Sequence, residues 1–419
     1  MWKSLIVLAL CVGLASAPAA AIDESTPALN PVVEWNRTLL RILRTPGAQP
    51  ATIHPTRNFA ILHVAIYDAV NAINREFSEY RVDLASVPEH ASPLAAADQA
   101  AHDVLVSLYP SFQSSLDAEL LQDLGAIADS TEKAHGVLVG HAVALAILTI
   151  RSGDGSAAVQ PTLVFGDRPG QYQLTPPNFA PADFTQWPSV TPFALLRGDQ
   201  FRPQPPPVLT SEVYTRDFNQ VKSLGNITST TRTAEQTVIG NFWNGNIQDF
   251  WNEIAQTAVL GHGLNLEQSA RVFALLNISL ADTAIALFDA KYVYEFWRPV
   301  TAVRRADEDD NPRTEPDPNW LPLPTKTAPD PSYPGAHSAI SAAGAEVLRL
   351  VFGDEFTFDV TSESLAGVER HFETFSAAAE EAGLSRIYSG QHFHFDHTSG
   401  RRLGREVARW VDETVLLAK

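Results

Sequence analysis

Sulfur is almost missing from this chain: Cys11 is its single cysteine and Met1 its single methionine. Both fall in an opening segment with one basic residue, Lys3, an apolar run over 5–14, and small residues ending at Ala19, Ala20 and Ala21. That layout predicts a signal peptide over 1–21, removed from a secreted or periplasmic protein. Leu10 is bulky for a lipoprotein cleavage site, which argues against lipidation at Cys11. The mature chain is therefore expected to carry no disulfide and no thiol chemistry. Long hydrophobic runs are also scarce. The opening run is well short of the roughly 20 residues that cross a bilayer, and no later segment reads as a span.

Positive charge is the next shortage. Lys and Arg number 30 against 48 Asp and Glu, a formal net charge of -18, which becomes -19 once Lys3 leaves with the signal. Such a surface repels nucleic acid and anionic membranes. Any local gathering of Lys, Arg and His is out of character with the rest of the chain.

What remains reads as helices. Segments 32–43, 59–73, 93–108, 112–127 and 132–151 carry apolar residues at three- and four-residue spacing, separated by short polar breaks. From 153 to 209 proline, glycine and isolated aromatics dominate, a density that regular elements do not survive. Helical pattern returns after Ser211, over 241–260 and 265–302. A second Pro-rich loop over 310–334 precedes helices at 338–352, 367–383 and 398–417. Sustained strand alternation is nearly absent, so the expected fold is all-α, two packed four-helix-type bundles with long Pro-rich loops. The expected organisation is an N-terminal helical region over 22–152, a loop region over 153–210, and a C-terminal bundle over 211–419 that carries the site.

Three clusters in that last region carry chemistry. Lys291 and Arg298 are seven apart, two turns along one helix face, with Pro299 ending the helix. A solvated basic face would give the same pattern. Next, Pro334, Gly335, Ala336 and His337 open an Ala-rich helix, whose free backbone N–H groups suit an anion that His337 can protonate or deprotonate; a histidine satisfied at the core edge is the plainer reading. Last come Arg386, His392 and Asp396. The carboxylate, four residues on, can accept one imidazole N–H and leave the other nitrogen a lone pair. Together Lys291, Arg298 and Arg386 supply three positive charges, a match for a phosphate-like oxyanion.

His392, His394, Asp396 and His397 also spell the H-x-H-x-D-H string of zinc hydrolases. Those enzymes need a β-rich sandwich and further ligands downstream. No histidine follows His397, so the match is taken as accidental.

Lys-x6-Arg-Pro, a Pro-x-x-His turn opening a helix, and Ser-Arg-x5-His-x3-Asp, in that order, resemble the superfamily shared by vanadium-dependent haloperoxidases and type 2 phosphatidic acid phosphatases. The resemblance is strongest over 281–396, and Glu295, Phe296, Trp297, Arg298 and Pro299 look closer to the haloperoxidases. It implies vanadate as cofactor, held by Lys291, Arg298, Arg386 and the turn at Gly335 and Ala336, with His392 bonded to vanadium and His337 as the acid–base residue. Hydrogen peroxide and a halide would be the substrates. A sulfur-free mature chain would suit an enzyme that releases hypohalous acid. In the phosphatase alternative a phosphate ester is attacked by His392; a non-enzymatic oxyanion binder is a third. Two departures stand out. The family turn usually reads Pro-Ser-Gly-His, so a serine hydroxyl is missing here. Asp330 stands where haloperoxidases resemble one another in carrying an aromatic or histidine, and an acid there is expected to repel halide.

Overall fold

The computed structural model describes residues 30–48 and 54–419, so the expected signal segment, with Cys11, lies outside the described residues. The chain is mainly helical. α1 (Pro31–Leu43), α2 (His54–Asn74), α3 (Pro93–Leu108), α4 (Gln113–Ala126) and α5 (Thr131–Arg151) form the first group. After the long loop come α6 (Glu212–Gly225), α7 (Ala234–Phe242), α8 (Ile247–Gly261) and α9 (Leu266–Tyr294). The short α10 (Pro299–Arg304), α11 (Ala336–Phe352), α12 (Phe375–Tyr388) and α13 (His394–Thr414) follow.

Local chemistry sets many of these boundaries. Ser92, Ser130 and Ser211 accept from backbone N–H groups three residues on, and Thr233 with Gln236 and Asn265 with Gln268 form reciprocal capping boxes. α9 is buried over most of its length because it is shared: α2 packs on one side, α11 and α13 on the other. α13 and α11 approach closely because Gly400 and Gly404 sit over the carbonyls of Gly335 and Ala339, where a Cβ would lie 2.5 and 2.0 Å from oxygen.

Several expectations need correction. The 265–302 segment is not one helix. Glu295 takes a left-handed conformation (φ 44°) and ends α9, and Arg298 caps α10 in extended backbone. Lys291 and Arg298 therefore do not share a helix face. The stretch expected as helix from Gly367 begins instead with a strand. β1 (Glu355–Thr361) and β2 (Glu369–Thr374) form an antiparallel hairpin, with Phe358 and Val360 turned inward between exposed neighbours. That two-residue alternation is a strand signal over seven residues.

The membrane reading also changes. α5 and α9 are long and apolar enough to cross a bilayer by length and composition. α9 is enclosed by its neighbours, which accounts for its hydropathy, whereas α5 leaves Leu138 62% and Leu145 59% exposed.

The first Pro-rich loop is pinned rather than loose. The buried carboxylate of Asp282, on α9, accepts from the N–H groups of Phe193, Ala194 and Leu195 at 2.6, 2.7 and 2.7 Å. Further along, the same loop meets the second one where Asp183 N–H donates to the Pro329 carbonyl at 2.9 Å. This junction lies next to Asp330.

Candidate functional site

Lys291 arrives from the last turn of α9, with its side chain completely buried. Arg298 reaches the same place because the chain from Glu295 to Trp297 is held by the first loop: Tyr172 N–H donates to the Glu295 carbonyl at 2.6 Å, and Trp297 N–H to that of Gly170 at 3.0 Å. Arg386 comes from the last turn of α12, and His392 from the connection that follows. His337 is the second residue of α11. The structure thus brings the five dispersed side chains to one region.

His392 lies outside α13, so helical spacing does not explain its partner. Asp396 sits in the first turn of α13 and reaches back, with Oδ2 2.9 Å from His392 Nδ1. The same oxygen accepts from Ser332 Oγ and from Phe393 N–H. On the other side, Arg298 Nη1 lies 3.1 Å from His392 Nε2. A guanidinium can only donate, so Nε2 is the lone-pair nitrogen and Nδ1 carries the proton donated to Asp396. Burial, reinforced by Arg298, Lys291 and Arg386, holds His392 well below the usual histidine range and so neutral. Burial pushes the Asp396 carboxyl upward, and its Oδ1 has no partner.

His337 is half-buried and donates from Nε2 to the Trp243 carbonyl at 2.9 Å, which leaves Nδ1 the unprotonated nitrogen. Burial first, then Arg386, keeps it neutral as well. Arg386 donates from Nη1 to Asn244 Oδ1 at 3.1 Å, while its Nε is buried and unpartnered. His337, Arg386, Asn244 and Gln391 line a cavity of about 540 Å³ that continues past Lys326 and Asp249.

Two details of the cage go beyond the sequence expectation. Gly335 and Ala336 are expected to let the chain approach an anion at the start of α11, and of the N–H groups there that of Gly335 already donates to the Asp396 carbonyl at 3.0 Å. Ala336 and His337 therefore supply the opening donors of α11. Asp330, the acid expected to repel halide, is paired with the cage's own cations. Its Oδ1 lies 2.7 Å from Lys291 Nζ and 2.8 Å from Arg298 Nη2, and its backbone carbonyl accepts from Arg298 Nε at 2.7 Å. Burial would raise this carboxyl, yet Lys291 and Arg298 outweigh burial and hold it below the usual range.

Sequence reasoning missed Ser332 and Asn244. Neither carries a local signal, since each meets its partner only through the fold; Ser332 lies 64 positions from Asp396. The four residues of the zinc-like string separate. His392 and Asp396 face the cage, while His397 bonds Ser338 Oγ at 2.9 Å and approaches Glu380. No group of three or more His, Cys, Asp or Glu able to hold a metal ion occurs among the described residues.

Residues 271–417 match the family model described as the VCPO second helical-bundle domain. Across 92% of the chain the sequence is 24% identical to vanadium chloroperoxidase of Curvularia inaequalis, covering 82% of that protein. Among solved structures, the first bacterial vanadium-dependent iodoperoxidase superposes with a TM-score of 0.78 at 25% identity, over 93% of this chain and 96% of that one. A holo-type bacterial vanadium-dependent chloroperoxidase gives 0.71 at 15% identity, over 94% and 98%, which is a likeness of fold.

Proposed function

Since this chain belongs to the vanadium haloperoxidase superfamily, we propose that its cage holds vanadate and that the protein oxidises a halide with hydrogen peroxide. One observation carries the reading. A neutral imidazole, His392, carries its lone pair on Nε2 within electrostatic reach of Arg298, Lys291 and Arg386, and the buried Arg386 Nε still lacks an acceptor. An orphaned buried donor is a cost that an oxyanion oxygen would remove. The residues present therefore fit the group.

In this reading His392 Nε2 would hold vanadium in place of the Arg298 Nη1 proton it now accepts, and Asp396 fixes the tautomer that puts the lone pair there. Arg386 and the remaining N–H of Arg298 hold oxyanion oxygens. Bound vanadate supplies a Lewis acid that activates hydrogen peroxide toward a halide. His337, kept neutral by burial and by Arg386, would serve as the base that takes a proton from peroxide. The cavity beside His337 and Arg386 admits small reactants. The iodoperoxidase likeness makes iodide the first halide to try.

The test uses purified protein stripped of bound anions. Vanadate is added, and peroxide-dependent oxidation of iodide, bromide and chloride is followed beside hydrolysis of p-nitrophenyl phosphate. Halide oxidation that requires added vanadate is the expected result. Ester hydrolysis without any halide oxidation would overturn it in favour of a phosphatase using the same His392 lone pair as nucleophile.

A further inference from the structure

The cations of the cage are not equally available. Lys291 has three protons to give, and the carbonyls of Pro331 and Ser332 and the Asp330 carboxylate take them all. Arg298 gives Nε to the Asp330 carbonyl, one Nη2 proton to its carboxylate, and its Nη1 protons to the Gln391 carbonyl and His392 Nε2. A single N–H on Nη2 is left. Arg386 bonds the neutral Asn244 and keeps its buried Nε unpartnered. Of the three cations, the Lys291 and Arg298 pair shares the Asp330 carboxylate, which cancels one of their charges.

We propose that Asp330 is an internal occupant of the oxyanion cage, whose carboxylate competes with the guest for Lys291 and Arg298 and so sets both its affinity and the charge it can carry. The inference rests on the oxyanion-binding reading of the site. Asp330 Oδ1 stands on both cations at hydrogen-bond distance, where an oxyanion oxygen would otherwise stand. Its backbone belongs to no helix or strand: it lies on the second Pro-rich loop, and the preceding Ala328 and Pro329 line the cavity. Without Asp330, two buried cations would face each other in an unfilled cage, an arrangement that is strongly destabilising. The same carboxylate that lets the empty site fold thus opposes its filling. Asp330 acts as a specificity-determining residue, disfavouring guests of high negative charge.

Full-length wild type, Asp330→Asn and Asp330→Glu are compared by calorimetric titration with orthovanadate and, separately, inorganic phosphate. The Asn variant removes the competing charge and is expected to bind both anions about tenfold more tightly, equal to about 1.4 kcal/mol, with a lower melting temperature when empty. Asp330→Glu keeps the counter-charge, so the empty protein folds, and pushes the carboxylate one methylene further into the guest's space. It is expected to bind several-fold more weakly than wild type. Should Asn fail to fold, the Glu result still decides. Equal or weaker binding by Asp330→Asn, or undiminished binding by Asp330→Glu, overturns the proposal while leaving the oxyanion site standing. No binding of either anion by any of the proteins removes the site itself and this inference with it.

Discussion

At the scale of single residues, the site depends on one carboxylate doing three things. Asp396 Oδ2 accepts from His392, Ser332 and Phe393, and so fixes which imidazole nitrogen carries the proton. Asp396→Asn replaces an acceptor that holds three donors with a neutral amide whose NH₂ cannot accept. Removing an orienting partner of this kind lowers affinity about 10- to 100-fold. A vanadate titration of Asp396→Asn against wild type checks this; unchanged affinity would show that His392 is oriented by other means. The chemistry of this pair was legible in the sequence because a four-residue spacing suffices for contact. Its geometry was misread, since His392 precedes the helix and Asp396 reaches back from it. Lys291 and Arg298 show the same split. Their identities were readable, but a left-handed Glu295 between them has no glycine or asparagine to announce it.

At the scale of elements, α13 and α11 form a seam of small residues. Their Ala and Gly content was visible in the sequence as helical pattern, but the pairing was not, because it depends on which faces meet. Gly400 is where this seam touches the site: a Cβ there would lie 2.5 Å from the Gly335 carbonyl and 3.1 Å from Ser338 Cβ. Backbone oxygen cannot swing aside as a side-chain tip can. Gly400→Ala should therefore destabilise the protein by about 1 to 3 kcal/mol, the usual range for overpacking. It should also shift the turn that carries His337, so anion affinity falls with stability. Denaturant unfolding and titration of the same preparation test the pair of effects, and a loss of stability alone would place the seam outside the site. The β1–β2 hairpin escaped notice because its alternation is brief and flanked by helices, where three- and four-residue spacing dominates.

For the molecule as a whole, the matched span 271–417 is not expected to stand alone. α9 buries Phe273, Leu276 and Leu280, and on one side its cover is α2; Asp282 is satisfied only by the loop at 193–195. A fragment of residues 265–419 would expose that face and strand a buried carboxylate. The expected result is a helical but loosely packed state, with far-ultraviolet dichroism retained, near-ultraviolet signal lost and strong binding of a hydrophobic dye. A sharp cooperative melt of the fragment would contradict it. The mainly helical class and the Pro-rich loops could be read from composition and period; that one helix serves both halves could not, since uniform hydrophobicity says only that a helix is surrounded.

The bond from the Gly335 amide to the Asp396 carbonyl ties the loop of one histidine to the helix anchoring the other. This peptide-to-peptide link, with the packing of Gly400 on Gly335 and Ser338, couples the positions of the two imidazoles. The vestibule walls around Asp183, Lys326 and Glu363 lie outside that tie, so a changed side chain there alters the approach and leaves the imidazole pair in place.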